Sequence, residues 1–216
     1  MTPATPPLER QIAWRLTQLL ALGASALLAF SFFDAAPTTR EGAENQGATT
    51  TSTTSLVEET PETRSFTLVA SGELLVHEYV ADAARSTDGT QWDFTPMFSR
   101  VAPVLQSADL ALCHLETPLS ADNSDLSYYP GFSVPFELAQ AISQAGYDGC
   151  SVASNHSLDA GTSGAASTLN HLENAVIGAA GMATSPEQAG PAFYQANGVT
   201  VAHLSVTDLL NGATLP

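Results

Sequence analysis

Short apolar runs alternate with amphipathic stretches from residue 65 onward. Three runs, at residues 66–70, 110–113 and 149–153, have the length and composition of buried strands. A fourth run, at residues 199–205, has the same character and follows a turn at Gly198. Because amphipathic segments separate the runs, the pattern predicts a β-α-β-α-β-α-β order, which is typical of an α/β domain with a largely parallel sheet.

Between these strands, apolar residues recur at helical spacing. The pattern predicts helices at residues 77–85, 95–105, 135–145 and 162–175. Thr95 and Pro96 suit the N-cap and the first position of the second helix, and Gly146 suits the C-cap of the third. The spacing in the second helix predicts that five residues face the core: Met97, Phe98, Val101, Val104 and Leu105.

The segment Leu16–Phe33 is 18 residues long, apolar and uncharged, and it follows Arg10 and Arg15. It therefore predicts a single transmembrane anchor at 16–33, a cytoplasmic tail at 1–15 and an extracytoplasmic domain at the cell membrane. A cleaved signal peptide has the same order of charge and hydrophobicity and is the alternative. Residues 34–64 are rich in Thr, Ser and Glu and predict a disordered linker, which leaves residues 65–216 as the folded domain.

The charge of the chain bears on its partners. Twenty-two acidic residues stand against six basic ones, all of them Arg, and the formal net charge is −16. Binding to nucleic acid depends on clustered cations that neutralise phosphates. The composition therefore excludes a nucleic-acid-binding protein, and it favours an acidic surface that faces solvent.

Polar residues capable of chemistry follow three of the predicted strands. They are found in the segments Ser71–His77, His114–Glu116 and Ser154–His156. Ligand sites in α/β sheets form outside the carboxyl ends of the strands, so these carboxylate, imidazole and amide groups are expected at one edge. Mixed oxygen and nitrogen donors suit a divalent cation, which is the arrangement of a metal-assisted hydrolase.

Several short strings together resemble a known family, the poly-γ-glutamate capsule-synthesis (CapA) proteins, from about Phe66 to the C-terminus. The family is similar in fold to the calcineurin-like metallophosphatases, so the resemblance implies a metallophosphatase-like α/β sandwich. The matching strings, in order, are Gly72–His77, Trp92-Asp93-Phe94, His114–Leu119, Ser154–Gly161, Asn197–Ala202 and Asn211-Gly212.

The resemblance implies a role in the synthesis or anchoring of poly-γ-glutamate or a related capsule polymer. It also implies a site for a divalent metal (Mn, Fe, Zn or Mg) whose candidate ligands are Glu73, His114, Glu116, Asn155 and His156. In that site His156 is the candidate general acid, and Asp159 is the candidate carboxylate that orients its ring.

Two departures from the family pattern weigh against catalysis. Glu73 stands where Asp is usual, and His114 stands where Asn is usual. The family's later His-Trp-Gly and Gly-His-His-Pro-His strings do not occur before Pro216, so the domain is expected to be incomplete. These departures favour the alternative of a non-catalytic assembly protein that binds the capsule polymer or membrane synthase subunits.

The remaining histidines and the cysteines leave alternatives open. His77 is either a residue that supports the site or simply the start of a helix, while His171 and His203 are expected to be structural. Cys113 and Cys150 both fall in predicted strands. They are either small apolar core residues or, if their strands are neighbours, a disulfide that an exported location permits.

Overall fold

The structure is a computed structural model that describes residues 63–213. The predicted tail, the apolar segment 16–33 and nearly all of the linker lie outside the described residues. Among residues 63–213, no helix has both the length and the apolar character needed to cross a membrane. The anchor at 16–33 therefore stays a prediction.

Four parallel strands form the main sheet, and their spatial order follows their order in the chain. They are β1 (Leu68–Leu74), β2 (Leu110–Leu115), β3 (Gly149–Ser151) and β4 (Gly178–Ala180). The α/β class and the parallel sheet are confirmed. The first two strands run further than predicted, to Leu74 and Leu115. The fourth is β4, a three-residue strand of Gly and Ala that the apolar pattern did not reveal.

The predicted fourth parallel strand at 199–205 is wrong in its pairing. The segment Val199–His203 is β6, and it pairs antiparallel with β5 (Ala192–Ala196) in a separate two-stranded sheet. Asn197 and Gly198 connect the two strands with φ angles of 48° and 75°. Positive φ at both central residues is the signature of the tight hairpin turn that Asn-Gly favours.

Within residues 63–213, five helices accompany the strands: α1 (Glu78–Ala84), α2 (Thr95–Phe98), α3 (Ala102–Ser107), α4 (Glu137–Ala145) and α5 (Gly161–Asn174). A 3₁₀ turn occupies Pro186–Gln188. The predictions for α1, α4 and α5 are confirmed to within about two residues, and Gly146 is the left-handed C-cap of α4 with φ of 105°.

The single helix predicted at 95–105 is instead two short helices, α2 and α3. Pro103 lacks the N–H that would bond to the carbonyl of Ser99, so a continuous helix is interrupted there. Phe94 takes the N-cap position of α2, and Thr95 is its first residue. Phe98 and Leu105 face the core as predicted, but three of the five predicted core residues are exposed: Met97, Val101 and Val104.

The sheet separates two apolar clusters. Side chains alternate along a strand, so Ala111, Cys113 and Leu115 of β2 point into the main core, which they share with α1, α3, α4 and α5. Leu110 and Leu112 point to the opposite face and pack with residues of the β5–β6 hairpin, including Tyr194. The carboxyl ends of the strands, where the candidate site residues lie, are therefore held between a helical layer and the hairpin.

Cys113 and Cys150 form a disulfide. The two residues are register partners on β2 and β3, and their Cα atoms lie 4.4 Å apart. The alternative of two free thiols is thus excluded in the described structure. The bond joins the central strands at the level just before the candidate site residue His114.

Asp109 fixes the beginning of β2 to the beginning of β1. The backbone N–H and the hydroxyl of Thr67 donate to Asp109 Oδ2 at 2.7 and 2.9 Å. These two hydrogen bonds hold the pKa of Asp109 below its ordinary value. A carboxyl whose pKa is lower in the folded state stabilises the fold above its unfolded pKa, and this contribution is lost as the pH falls through the folded pKa.

We therefore expect the variant Asp109→Asn to melt below the wild type at pH 7 and the difference to shrink as the pH approaches 2. Melting temperatures of the two proteins, measured from pH 7 to pH 2, check this. An unchanged difference across that range would show that the Asp109 charge does not contribute.

Candidate functional site

A row of polar residues crosses the sheet near the carboxyl ends of its strands. Glu73 on β1 is the register partner of His114 on β2, and His114 is the partner of Ser151 on β3. Contrary to the sequence prediction, Glu73 and His114 lie inside their strands rather than after them. The register of β1 shifts between Ala70 and Glu73, and this irregularity sets which residue faces His114.

Glu116 follows β2 directly and is buried, with 7% of its surface exposed. Burial raises the pKa of its carboxyl, and the like charge of Glu73 raises it further. The imidazoles of His156 and His114 act in the opposite direction. Glu116 therefore lies within electrostatic reach of three other predicted metal ligands, Glu73, His114 and His156, although the four residues come from three different segments of the chain.

The turn after β3 explains how His156 comes close to Glu116. Ser154 Oγ donates to the carbonyl oxygen of Glu116 at 2.6 Å and accepts the backbone N–H of His156 at 2.9 Å. Ser157 Oγ closes the same turn by donating to the carbonyl oxygen of Val152 at 2.9 Å. Small hydroxyl side chains thus replace the regular ladder where β3 ends, and they fix His156 beside the end of β2.

His156 and Asp159 form a tight pair. The distance from His156 Nδ1 to Asp159 Oδ2 is 2.6 Å, and the same carboxylate oxygen accepts the backbone N–H of Phe132 at 3.0 Å. The Phe132 ring meets the imidazole edge to face, with centroids 4.8 Å apart. A carboxylate at this distance favours the neutral tautomer with its proton on Nδ1, which is the contact expected of the carboxylate that orients the ring. The orienting role of Asp159 stays a prediction.

Asn155 contacts Asn211, a residue that the sequence analysis did not assign to the site. Its amide donates to Asn211 Oδ1 at 3.2 Å, and Asn211 Nδ2 lies 3.1 Å from His156 Nδ1. Asn211 has a positive φ of 47°, a conformation that Asn tolerates better than most residues. The sequence did contain a sign of this residue, because the Asn211-Gly212 string is one of those that resemble the family, but the string by itself indicates no role.

Two aromatic residues near His156 were also missed. Phe132 is fully buried and its ring lies between His156 and His77, while Tyr129 is exposed and adjoins His77. Both residues come from the long connection between β2 and α4, which has little periodic pattern. His77 is the N-cap residue of α1, and its ring contacts place it at the edge of the site.

The other two histidines make specific contacts. His203 Nε2 lies 2.9 Å from Ser151 Oγ, and burial lowers the pKa of this histidine. His171 stacks on Phe136 with ring centroids 4.6 Å apart, and its Nε2 lies 3.2 Å from the carbonyl oxygen of Ala121. His203 therefore joins the hairpin to the sheet, and His171 holds the connection that contains Phe132 and Tyr129 against α5.

The fit of the site to a cation can be tested on its buried polar atoms. His114 Nε2 and Glu116 Oε2 are both buried and have no hydrogen-bond partner among residues 63–213. Buried polar atoms are almost always paired, so each of these two needs a partner such as an ion or a water. Within the same residues, no three His, Cys, Asp or Glu side chains are already gathered at metal-binding distances. These two atoms are suitable ligands for a cation. A third ligand must come from the rotation of another side chain near them.

Comparison with known proteins identifies the family of the chain. Residues 67–214 match the family model of the bacterial capsule synthesis protein PGA_cap. The chain belongs to the PGA_cap family. The match spans every strand and helix of the described domain and includes all the candidate site residues of this PGA_cap chain. The suspected capsule-synthesis resemblance is confirmed. No curated protein matches the chain.

Proposed function

We propose that this PGA_cap protein is a metal-assisted hydrolase of phosphate esters that works in capsule synthesis, with a metallophosphatase-like fold held outside the cell membrane by the segment 16–33. One observation carries the proposal. Two buried ligand atoms, His114 Nε2 and Glu116 Oε2, have no hydrogen-bond partner among residues 63–213, and Glu116 lies in electrostatic reach of both His114 and the imidazole of the His156–Asp159 pair. Such a combination of a cation position and an oriented imidazole suits hydrolysis.

Four of the five ligands predicted from the sequence would hold the cation: Glu73, His114, Glu116 and Asn155. The fifth, His156, is assigned to proton transfer instead, because a cation on Nε2 would leave no proton there to deliver. A divalent ion there would supply positive charge to the phosphate oxygens and to the attacking water. The raised pKa of Glu116 supports this assignment, because burial and the charge of Glu73 disfavour its ionised form until a counter-charge is present. Mixed oxygen and nitrogen donors accept Mn, Fe, Zn or Mg.

The chain's own groups account for the proton transfer. Water attacks phosphorus and releases one proton to solvent, the bond from phosphorus to the leaving oxygen breaks, and His156 Nε2 delivers a proton to that oxygen. The ring then regains a proton from solvent. Asp159 accepts the hydrogen bond from Nδ1 and stabilises the protonated ring that must form before each turnover. Phe132 holds the ring in place from the side and its backbone N–H holds Asp159.

A binding protein without catalysis is the second candidate, and one observation favours it. The described residues do not present three ready-placed ligands, so a cation must pull side chains into position before any chemistry. In that alternative the same edge of the sheet would hold the capsule polymer or a membrane synthase subunit. Cation binding and its dependence on Glu116 distinguish the two candidates.

The test is the melting temperature of the full-length chain with and without excess Mn²⁺ or Zn²⁺. A ligand at 100 times its dissociation constant stabilises the folded state by about 2.7 kcal/mol, which for a chain of this size raises the melting temperature by about 5–10 °C. We expect the wild type to show this shift and Glu116→Gln to lose most of it. Glu173→Gln, which changes an exposed carboxylate near the end of α5, is the matched control and should keep the shift.

A wild type that does not respond to either cation would favour the binding protein. Equal shifts in wild type and Glu116→Gln would move the cation away from the proposed position.

A further inference from the structure

The segment that follows β6 contacts the end of β3 and the turn after it. Three side-chain contacts join the two segments, in the same order along both: His203 with Ser151, Ser205 with Ala153, and Asn211 with Asn155. We call residues 204–211 the strap. The last of the three contacts brings the strap to a turn that carries two candidate site residues, Asn155 and His156.

Polar contacts rather than burial hold the strap in place. Three of its large apolar side chains, Leu204, Val206 and Leu209, are exposed. Exposed apolar side chains contribute little to the free energy of folding, so the position of such a segment depends on its hydrogen bonds. The contacts of Asn211 are therefore part of what keeps the strap beside the proposed site.

The backbone explains an asparagine at position 211 but does not require its amide. Asn211 and Gly212 have φ of 47° and 86°, and the N–H of Ala213 donates to the carbonyl oxygen of Leu210 at 2.8 Å, which closes a tight turn. Both Asn and Gly tolerate positive φ, and Gly does so at no steric cost. A glycine at position 211 would form the same turn, so the role of the amide can be tested separately from the turn.

The amide of Asn211 determines which end of the Asn155 amide remains available. Asn155 Nδ2 donates to Asn211 Oδ1 at 3.2 Å. A side-chain amide has its donors on nitrogen and its acceptor on oxygen, so the hydrogen bond occupies the nitrogen end and leaves Oδ1 available. Oxygen is also the end of an amide that binds a divalent cation. The contact with Asn211 thus suits Asn155 to the ligand role proposed for it.

The contact of Asn211 with His156 is of a different kind. Asn211 Nδ2 lies 3.1 Å from His156 Nδ1, and the same ring nitrogen lies 2.6 Å from Asp159 Oδ2. A ring nitrogen that donates its proton to a carboxylate has no lone pair to accept a second hydrogen bond. In that tautomer the amide packs against the ring, and the hydrogen bond with Asn155 is the one through which Asn211 acts.

We infer that Asn211 is a positioning residue for the cation: it holds Nδ2 of Asn155 so that Oδ1 is presented as a ligand. The inference rests on the proposed function, because it takes Asn155 as one of the four ligands. Removal of a group that orients a metal ligand usually lowers the affinity for the metal by about 10- to 100-fold. The cation site then depends on a residue that lies 56 positions further along the chain.

The test is calorimetric titration of the full-length chain with Mn²⁺ alone, or with Zn²⁺ alone if only that cation stabilises the wild type. Asn211→Gly removes the amide and keeps a residue that suits the turn, so we expect its dissociation constant to rise by about 10- to 100-fold. Asn211→Asp keeps an oxygen that accepts the N–H of Asn155, so its dissociation constant should stay within about threefold of the wild-type value.

Asn197→Gly is the matched control. Asn197 has φ of 48° in the other Asn-Gly turn, and its Nδ2 donates to the carbonyl oxygen of Ser65 rather than to a site residue. The control makes the same substitution in the same kind of turn, so its dissociation constant should equal that of the wild type. An equal loss of affinity in the control and in Asn211→Gly would overturn the inference.

The remaining outcomes separate the role of Asn211 from the proposed function. Wild-type affinity in Asn211→Gly, together with a loss in Glu116→Gln, would overturn the role of Asn211 and leave the cation site standing. If that affinity came with slower hydrolysis of phenyl phosphate at saturating cation, Asn211 would act on His156 instead of Asn155.

Equal losses in Asn211→Gly and Asn211→Asp would overturn the role of the acceptor oxygen, since Asp retains it. A wild type that binds neither cation would overturn the proposed cation site itself, and with it the role of Asn211 toward a cation.

Discussion

Replacement of His156 by Gln should lower the rate of phenyl phosphate hydrolysis by about 10²- to 10⁴-fold, which is the usual contribution of a positioned general acid. Gln cannot supply the proton that the leaving oxygen needs. The side chain of His156 is 13% exposed, so the change should shift the melting temperature by only a few degrees. Steady-state rates on the Mn²⁺-loaded full-length chain, together with melting curves, provide the measurement.

Two further variants test whether the loss of hydrolysis rate comes from the His156–Asp159 pair. Asp159→Asn keeps the shape of the pair but weakens its hold on Nδ1, so we expect an intermediate loss of about 10- to 100-fold. His171→Gln is the control because His171 packs on Phe136 away from the proposed cation, and its activity should stay near that of the wild type. Full activity of His156→Gln would remove this residue from the chemistry and return the site to a binding role.

The variant Gly149→Ala should destabilise the protein by about 1–3 kcal/mol, because it overpacks the contact between the sheet and the hairpin. A Cβ at Gly149 would lie 2.6 Å from Cζ of Tyr194 and 2.9 Å from its Cε1. Gly178 on β4 meets the same ring, with Oη at 2.6 Å from its Cβ position. The Tyr194 ring is buried against both β3 and β4, so a movement away from Gly149 would disturb its packing on the sheet.

Urea denaturation of wild type, Gly149→Ala and the control Gly190→Ala measures this effect. A Cβ at Gly190 has no atom within 4 Å, so the control should stay within about 0.5 kcal/mol of wild type. In the double variant Gly149→Ala, Tyr194→Leu the clash is absent, so its loss should be smaller than the sum of the two single losses. Additive losses would mean that the hairpin does not pack on β3 as described.

The two residues that differ from the family pattern, Glu73 and His114, occupy neighbouring register positions. Glu73 replaces Asp and His114 replaces Asn, and the two residues are partners across β1 and β2. Both replacements lengthen the side chain, so the donor atoms extend further from the sheet at the same place. In the proposed function, the two changes therefore act on the same part of the cation site.

The local sequence pattern was enough to predict a large part of the fold and to select most of the candidate site residues. The apolar runs at 110–113 and 149–153 became the central strands, because a buried parallel strand needs apolar residues on both faces. The helical spacing after residue 135 and Gly146 located α4 and its left-handed end. The position of Glu116 and His156 just after two strands predicted their approach, since adjacent parallel strands end at the same edge.

The pairing partners depended on contacts between residues far apart in the chain. The composition of Val199–His203 identifies a strand but does not state its partner, and the Asn197-Gly198 turn folds it back on β5 instead of into the parallel sheet. The short β4 has no side-chain pattern because Gly178 must leave room for Tyr194. Asn211 and Phe132 reach His156 only through the packing of segments that carry no local signal.

Residue order along the chain thus determined the α/β class, the central strands and the identity of most candidate site residues. Tertiary structure alone decided the register of Glu73 opposite His114, the burial of Glu116, the disulfide between Cys113 and Cys150, and the contact of the Phe132 ring with His156. The physical reason is range: backbone periodicity acts over a few residues, whereas register, burial and desolvation depend on strands and loops that are tens of residues apart.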